Sequence, residues 1–172
     1  LGAGASPILS ISSVDVSEAS PYAVVVAYLS NPSTEAISFL PSLKGVTATS
    51  GEDFSSTLQF FDQEAGEAGE WLDVDPALGV TFQPGQISIL LRASINNDDL
   101  FEGKEKLKVI SGKIKGEITK DDERAIYGTI AIFDDGSCTN VFLEDNTSDE
   151  PTQQEADDDR PLLSISSVDV SE

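Results

Sequence analysis

Short runs in which apolar and polar residues alternate recur along most of the chain, and they predict β-strands. In residues 86–95 every second side chain is apolar and is expected to face inward: Ile87, Ile89, Leu91, Ala93 and Ile95. The positions between them are expected to face outward: Ser88, Leu90 (the apolar exception), Arg92 and Ser94. Residues 104–110 and 126–132 alternate in the same way. Residues 22–30 are apolar at nearly every position, which is typical of a strand buried on both faces.

Shorter strand candidates complete the pattern at residues 8–16, 36–49, 57–61 and 79–83. Turn-forming pairs separate the candidates: Asn31-Pro32, Ser50-Gly51, Pro84-Gly85 and Asp135-Gly136. No long segment shows the helical period of 3.6 residues. About seven short strands at this spacing predict an all-β protein, a β-sandwich with Greek-key connections.

Two acidic stretches interrupt the strand pattern. Residues 62–75 are predicted to form a surface insertion between strands, with Trp71 folded back onto the sheet. Residues 137–160 are acidic and polar, and they are predicted to be an interdomain linker.

An internal repeat gives the domain organisation. Residues 8–18 read ILSISSVDVSE and residues 162–172 read LLSISSVDVSE, with a proline before each copy. The two copies begin 154 residues apart, which indicates one full repeat followed by the first strand of the next. A cloning artefact is the alternative, and residues 1–7 are either a natural linker or vector-derived. The predicted organisation is a sandwich over 8–136, a linker over 137–161, and the opening strand of a second repeat over 162–172.

The charge balance restricts the partners. Thirty-one acidic residues face ten basic ones, for a net charge of −21. Such a surface repels nucleic-acid phosphates and anionic membranes, so neither is expected as a partner. No apolar run is long enough for membrane insertion. Self-repulsion on this scale requires neutralising cations, which are either bulk salt around a halophile surface or divalent ions at defined sites.

The composition also favours one kind of ion. The chain has one cysteine, Cys138, and no histidine, which excludes an intrachain disulfide and the usual zinc and copper ligands. Many of its carboxylates follow predicted strand ends, where a sandwich brings distant residues together. Two like charges about 4 Å apart cost on the order of 4 kcal/mol at an effective dielectric constant near 20. Calcium, which takes six to eight oxygen ligands, would turn that repulsion into a stabilising contact.

Four motifs in order resemble the Calx-β domain family over about residues 8–136. They are Gly51-Glu52-Asp53-Phe54, the run VTFQPG at 80–85, the run NDDLFEGKE at 97–105, and the run TIAIFDD at 129–135. The resemblance implies an immunoglobulin-like sandwich that binds Ca²⁺, with more than one ion. Matching motif by motif, it implies these metal ligands: Glu18, Asp53, Asp98, Asp99, the carbonyl of Leu100, Glu102, Glu105, Asp134 and Asp135. Gly136 stands where the family often has a third aspartate, which puts one ion in question.

The repeat and the charge further resemble the extender region of large calcium-dependent (RTX-type) bacterial adhesins. The expected function is therefore a structural spacer at the bacterial cell surface, stiffened by calcium so that the array projects a distal adhesive domain. Its expected partners are neighbouring repeats of the same chain. The alternatives are a calcium-sensing regulatory domain and a ligand-binding adhesin module. No catalytic triad, phosphate-binding loop or dinucleotide-binding motif is present, so no enzymatic activity, catalytic residue or organic cofactor is expected.

Overall fold

The fold is built from strands alone. The computed structural model describes residues 6–97, 101–118, 126–154, 158 and 160, and every regular element in these ranges is a β-strand. This confirms the all-β prediction. Within the described residues, no helix is long and apolar enough to cross a membrane.

Fourteen strands occur in the described residues. They are β1 (Leu9–Ile11), β2 (Val14–Ser17), β3 (Tyr22–Leu29), β4 (Ile37–Phe39), β5 (Ser42–Gly45), β6 (Phe54–Asp62), β7 (Glu70–Asp73), β8 (Val80–Phe82), β9 (Ser88–Ile95), β10 (Glu105–Ile110), β11 (Ile114–Lys115), β12 (Tyr127–Phe133), β13 (Asn140–Val141) and β14 (Thr152–Gln153).

Two sheets form the sandwich. The first sheet has the strand order β1-β3-β9-β6-β7, and the second has the order β2-β12-β10-β5. A small sheet, β11-β4-β8, and the hairpin β13-β14 complete the fold. β2 pairs with β12 in parallel, whereas β1 pairs with β3 antiparallel. The first predicted strand, 8–16, is therefore two strands, because the chain crosses from one sheet to the other at Ser12 and Ser13.

The core lies between the two sheets. The inward side chains of β3, from Ala23 to Leu29, are at most 4% exposed. They lie opposite the apolar side chains of β10 and β12, including Leu107 and Ile130, which are fully buried. Val24, on the outer face of β3, is also only 2% exposed, so this strand is buried on both faces near its start, as the apolar run predicted.

The strand boundaries differ from the sequence pattern at several positions. Residues 36–49 form two strands, β4 and β5, in different sheets. Ile87 was predicted to face the core, but it is 49% exposed because β9 begins only at Ser88. The prediction of about seven strands was too low because it did not anticipate this splitting or short elements such as β7 and β11.

Arg92 faces outward, as the alternation predicted, but it is covered rather than open to solvent. It points to the outer face of the first sheet and is only 5% exposed. Its guanidinium carbon lies 3.9 Å from the centre of the Tyr22 ring and 4.3 Å from that of Trp71. Its Nε donates to Gln59 Oε1 and its Nη1 donates to the carbonyl of Glu144. A layer of aromatic rings and a crossing chain segment therefore cover this face.

Trp71 folds onto the sheet, as predicted, but the stretch around it is more regular than a surface insertion. Residues 70–73 form β7, which pairs with the end of β6. The Trp71 ring packs edge-on against Phe61 at a centroid distance of 5.4 Å. Its Nε1 donates to the carbonyl of Asn146 over 2.9 Å.

The start of the predicted linker contributes to the core. Val141 is 1% exposed and Phe142 is fully buried. The Phe142 amide donates to Ser20 Oγ, and Asn140 Nδ2 donates to the carbonyl of Asp15. Residues 138–146 therefore pack on the sandwich, where the sequence placed a linker from residue 137. An overall acidic composition concealed two apolar residues that fill the space beside β2 and β3.

Replacing Phe142 with alanine is expected to lower the free energy of unfolding by about 3–5 kcal/mol, the usual cost of removing a buried aromatic side chain. The neighbouring Leu143 is 39% exposed, so Leu143→Ala is the matched control and should change stability by less than about 0.5 kcal/mol. Urea unfolding followed by tryptophan fluorescence measures both. Equal effects of the two variants would show that this segment is a linker after all.

Candidate metal centre

Two adjacent strand ends bring the first two carboxylates together. β2 and β12 run parallel, and Ser17 pairs with Phe133 at their ends. The amide of Glu18 donates to the carbonyl of Phe133 over 2.8 Å. Glu18 and Asp134 therefore leave the second sheet side by side, and they are only 5% and 2% exposed.

A tight turn before β6 places Asp53 at the same end of the sandwich. The Asp53 amide donates to the carbonyl of Thr49, and the Thr49 amide donates to Asp53 Oδ2 over 2.6 Å. The carbonyl of Asp53 accepts from the amide of Asn96, just after β9. These bonds fix Asp53, which is 8% exposed, between the two sheets.

The loop before β10 supplies two more carboxylates. The amide of Glu102 donates to Asp134 Oδ2 over 2.7 Å, which ties this loop to the end of β12. Glu105 is the first residue of β10 and pairs with Ile132. One oxygen from each of Asp53, Glu102 and Glu105 lies within 4.8 Å of the other two.

These carboxylates surround a single small pocket at the end of the sandwich. Its lining contains five of the predicted ligands: Glu18, Asp53, Glu102, Glu105 and Asp134. The pocket has a volume of about 10 Å³, roughly the space that one water-sized particle occupies. That space is of the size that a single ion occupies.

Asp134 carries the most informative atom of the site. Its Oδ2 accepts from Glu102, but within the described part of the chain no hydrogen-bond donor reaches its buried Oδ1. Leaving a charged, buried oxygen without a partner costs several kcal/mol, and native proteins rarely tolerate it. A cation bound in the pocket would supply the missing partner.

Burial and nearby negative charge both shift the pKa of Glu105. Burial raises the pKa of its carboxyl group from 4.5 to about 8, and the neighbouring Asp53 and Glu102 carboxylates add to the increase. Without a cation, Glu105 therefore retains a proton at neutral pH. A divalent ion would have to displace that proton in order to use both Glu105 oxygens.

The set of donors fits a hard cation. All five acidic side chains offer carboxylate oxygens. They come from four separate segments, an arrangement that suits the irregular coordination of Ca²⁺ better than the octahedron of Mg²⁺. Asn96 and Gly103 also line the pocket, and the sequence analysis did not single them out. Asn96 directly follows β9, and a polar residue at that strand end was the available signal.

The remaining predicted ligands lie elsewhere or outside the described residues. Asp98, Asp99 and Leu100 are outside them. Asp135 does not line the pocket, because its Oδ1 accepts from the amide and the hydroxyl of Ser137. These hydrogen bonds lower the pKa of the partly exposed Asp135 carboxyl group. The role of these four residues as ligands stays a prediction.

No protein-family model and no curated protein sequence matches the chain. Among solved structures, the chain is similar to the calcium binding domain CBD12 of CALX1.1 and to CBD12 from CALX1.2, each at 18% identity and a TM-score of 0.54. Each match covers 74% of this chain and 45% of the other, so the chain spans less than half the length of these structures.

The apo-form Calx CBD1 domain is similar at 16% identity and a TM-score of 0.53, over 73% of this chain and 96% of that domain. At such identities the likeness shows the fold alone. It confirms the predicted sandwich: this chain has the fold of a Calx-β domain.

Proposed function

We propose that the carboxylate pocket binds calcium and that the chain is a structural spacer repeat of a larger cell-surface adhesin. The observation that carries the calcium proposal is Asp134, whose buried Oδ1 has no hydrogen-bond donor among the described residues while four further carboxylates line the same pocket. The similar Calx domains, described as calcium-binding, support it.

Electrostatics explains how calcium would act. Two unit charges 4.8 Å apart repel by about 3 kcal/mol at an effective dielectric constant of 20, and the cluster of Asp53, Glu102 and Glu105 contains three such pairs when fully ionised. A divalent cation converts these repulsions into attractions that join loops from both sheets. The unfolded chain cannot assemble the cluster, so binding stabilises the folded state.

The position of the pocket supports a role at a junction between repeats. Asp158 forms a β-bridge with Asp135, directly after the pocket residue Asp134. The chain that continues toward the second copy at 162–172 therefore passes the calcium end of the sandwich. Calcium there would limit the movement of the segment that joins two repeats, and a stiff array would project a distal adhesive domain outside the cell.

A calcium sensor is the second candidate, and the likeness to the CBD12 structures is equally compatible with it. Affinity separates the two functions. A sensor responds at micromolar calcium, whereas an extracellular structural site suffices with a dissociation constant of about 10⁻⁴–10⁻³ M.

Calcium is expected to raise the melting temperature by at least about 10 °C when its concentration reaches about a thousand times the dissociation constant. Thermal melts at fixed ionic strength, in chelator and then with increasing calcium, measure this shift. Magnesium and sodium chloride at matched ionic strength are the controls. Equal stabilisation by sodium chloride would contradict a defined site and indicate a halophile surface.

Asp134→Asn should abolish most of the calcium-dependent increase in melting temperature, because it removes the carboxylate whose buried Oδ1 has no hydrogen-bond donor among the described residues. Asp149→Asn removes the same charge from an exposed position outside the pocket, and its calcium response should equal that of the wild type. If both variants respond like the wild type, calcium binds elsewhere.

In metal-free buffer the protein should become less stable as pH rises from 5 to 8. The pKa of Glu105 is higher in the folded state, at about 8, than its ordinary value of 4.5. The folded state therefore binds more protons in this range, and stability falls as pH rises. Urea unfolding at several pH values measures the slope, and Glu105→Gln should reduce it. An equal slope in the variant would show that Glu105 is not the cause of the pH dependence of stability.

Two tandem copies of residues 8–161 keep the junction sequence, and their shape tests the spacer role. Small-angle scattering should show a larger radius of gyration and less conformational spread with calcium than with chelator. A single copy should change little and is the control. Unchanged scattering of the pair, despite a raised melting temperature, would leave calcium binding intact and contradict the mechanical role.

A further inference from the structure

We propose that residues 162–172 of one chain can occupy the place of β1 and β2 in a second copy, so that repeats exchange their first strand pair. The observation is that residues 162–172 repeat the sequence of the segment that forms β1 and β2 and makes their contacts with the two sheets. Every residue from Leu9 to Glu18 has an identical counterpart 154 positions later. The copy itself lies outside the described residues, but the site that would receive it is fully described.

The contacts of the first copy show what a replacement must provide. Leu9, Ile11 and Val16 are buried, and Glu18 lines the carboxylate pocket. Ser12 Oγ accepts from the amide of Val26, and Ser13 Oγ accepts from the amide of Thr129. The corresponding residues of the second copy are Leu163, Ile165, Ser166, Ser167, Val170 and Glu172.

The single difference between the copies falls where it has least effect. Ile8 is replaced by Leu162, and Ile8 is 49% exposed. Its hydrogen bonds use only its backbone: the Ile8 amide donates to Ser30 Oγ, and its carbonyl accepts from the amide of Ser30. Leucine at this position would preserve both bonds.

The strand pair is also placed where it can be exchanged. β1 and β2 each lie at an edge of their sheet, so their removal leaves the ladders β3-β9-β6 and β12-β10-β5 intact. Exposed edges of this kind accept added strands, and exchange of identical elements is a common route to assembly. Only residues 18–21 connect the resident pair to β3, so exchange needs a high local concentration, as between neighbouring repeats.

Geometry directs the second copy to another molecule. Asp158 is bridged to Asp135 at the end of the sandwich where β2 ends, whereas β1 begins at the opposite end, about 25 Å away along the two strands. Four residues from Asp158 to Leu162 reach at most about 14 Å. While this bridge holds, the copy cannot replace β1 and β2 of its own domain. Exchange is therefore head-to-tail, and it would place Glu172 at the carboxylate pocket of the next molecule.

Val16→Asp in the full chain tests the proposal, because it disables the resident strand and leaves the copy intact. The variant should form head-to-tail oligomers whose size rises with protein concentration in sedimentation velocity. Val16→Asp combined with Val170→Asp should stay monomeric, and Val170→Asp alone should remain a monomer as stable as the wild type. Equal sedimentation of the single Val16→Asp variant and the double variant would overturn the proposal.

A pair of introduced cysteines tests the register between the copy and β3 of the next molecule. It also keeps the proposal testable if the Val16→Asp variant does not fold. Ser10 pairs with Tyr28, so Ser164 should lie opposite Tyr28 of the next molecule. With Cys138→Ser, the pair Tyr28→Cys and Ser164→Cys should form intermolecular disulfides after refolding, both in chains that keep Val16 and in chains that also carry Val16→Asp. Moving the second cysteine to Ser167 should prevent them. The absence of disulfides in both backgrounds would refute exchange, and metal-free buffer keeps this result separate from calcium binding.

Discussion

The repulsion among carboxylates at one end of the sandwich is the constraint on which the rest of the structure depends. Five acidic side chains from four separate segments converge on a pocket of about 10 Å³. The fold holds them there through backbone hydrogen bonds that do not depend on an ion, such as those of Asp53 with Thr49 and Asn96. The backbone thus keeps like charges close together, at an electrostatic cost to the folded state. Asp134 Oδ1 is buried among them with no hydrogen-bond donor among the described residues. The proposed cation would relieve this cost.

A buried positive charge, that of Arg92, lies on the outer face of the first sheet. Arg92 is held between Tyr22 and Trp71, and the carbonyl of Glu144 accepts its Nη1 hydrogen bond. Cation–π contacts and hydrogen bonds compensate for its lost hydration. Because the Trp71 indole also donates to Asn146, this cluster anchors the segment after β12 to the sandwich.

The same strand pair links the pocket to the proposed organisation in repeats. β1 and β2 join the two sheets, and Glu18 at their end contributes a carboxylate. A near-identical copy of that pair follows 154 residues later. Sheet pairing, the charged pocket and the succession of repeats thus share one short segment. A change at Val16 or Glu18 would affect stability, the carboxylate pocket and the match between the two copies together.

The sequence by itself determined the strand-rich class, the repeat and the acidic strand ends, because alternation and identity are local properties of the chain. It identified Glu18, Asp53, Glu102, Glu105 and Asp134, largely through a family resemblance. Only the tertiary structure decided that Asp135 turns to Ser137, that Asn96 lines the pocket, and that Arg92 and Phe142 are buried. Burial and convergence depend on which distant segments cover a position. No local pattern carries that information.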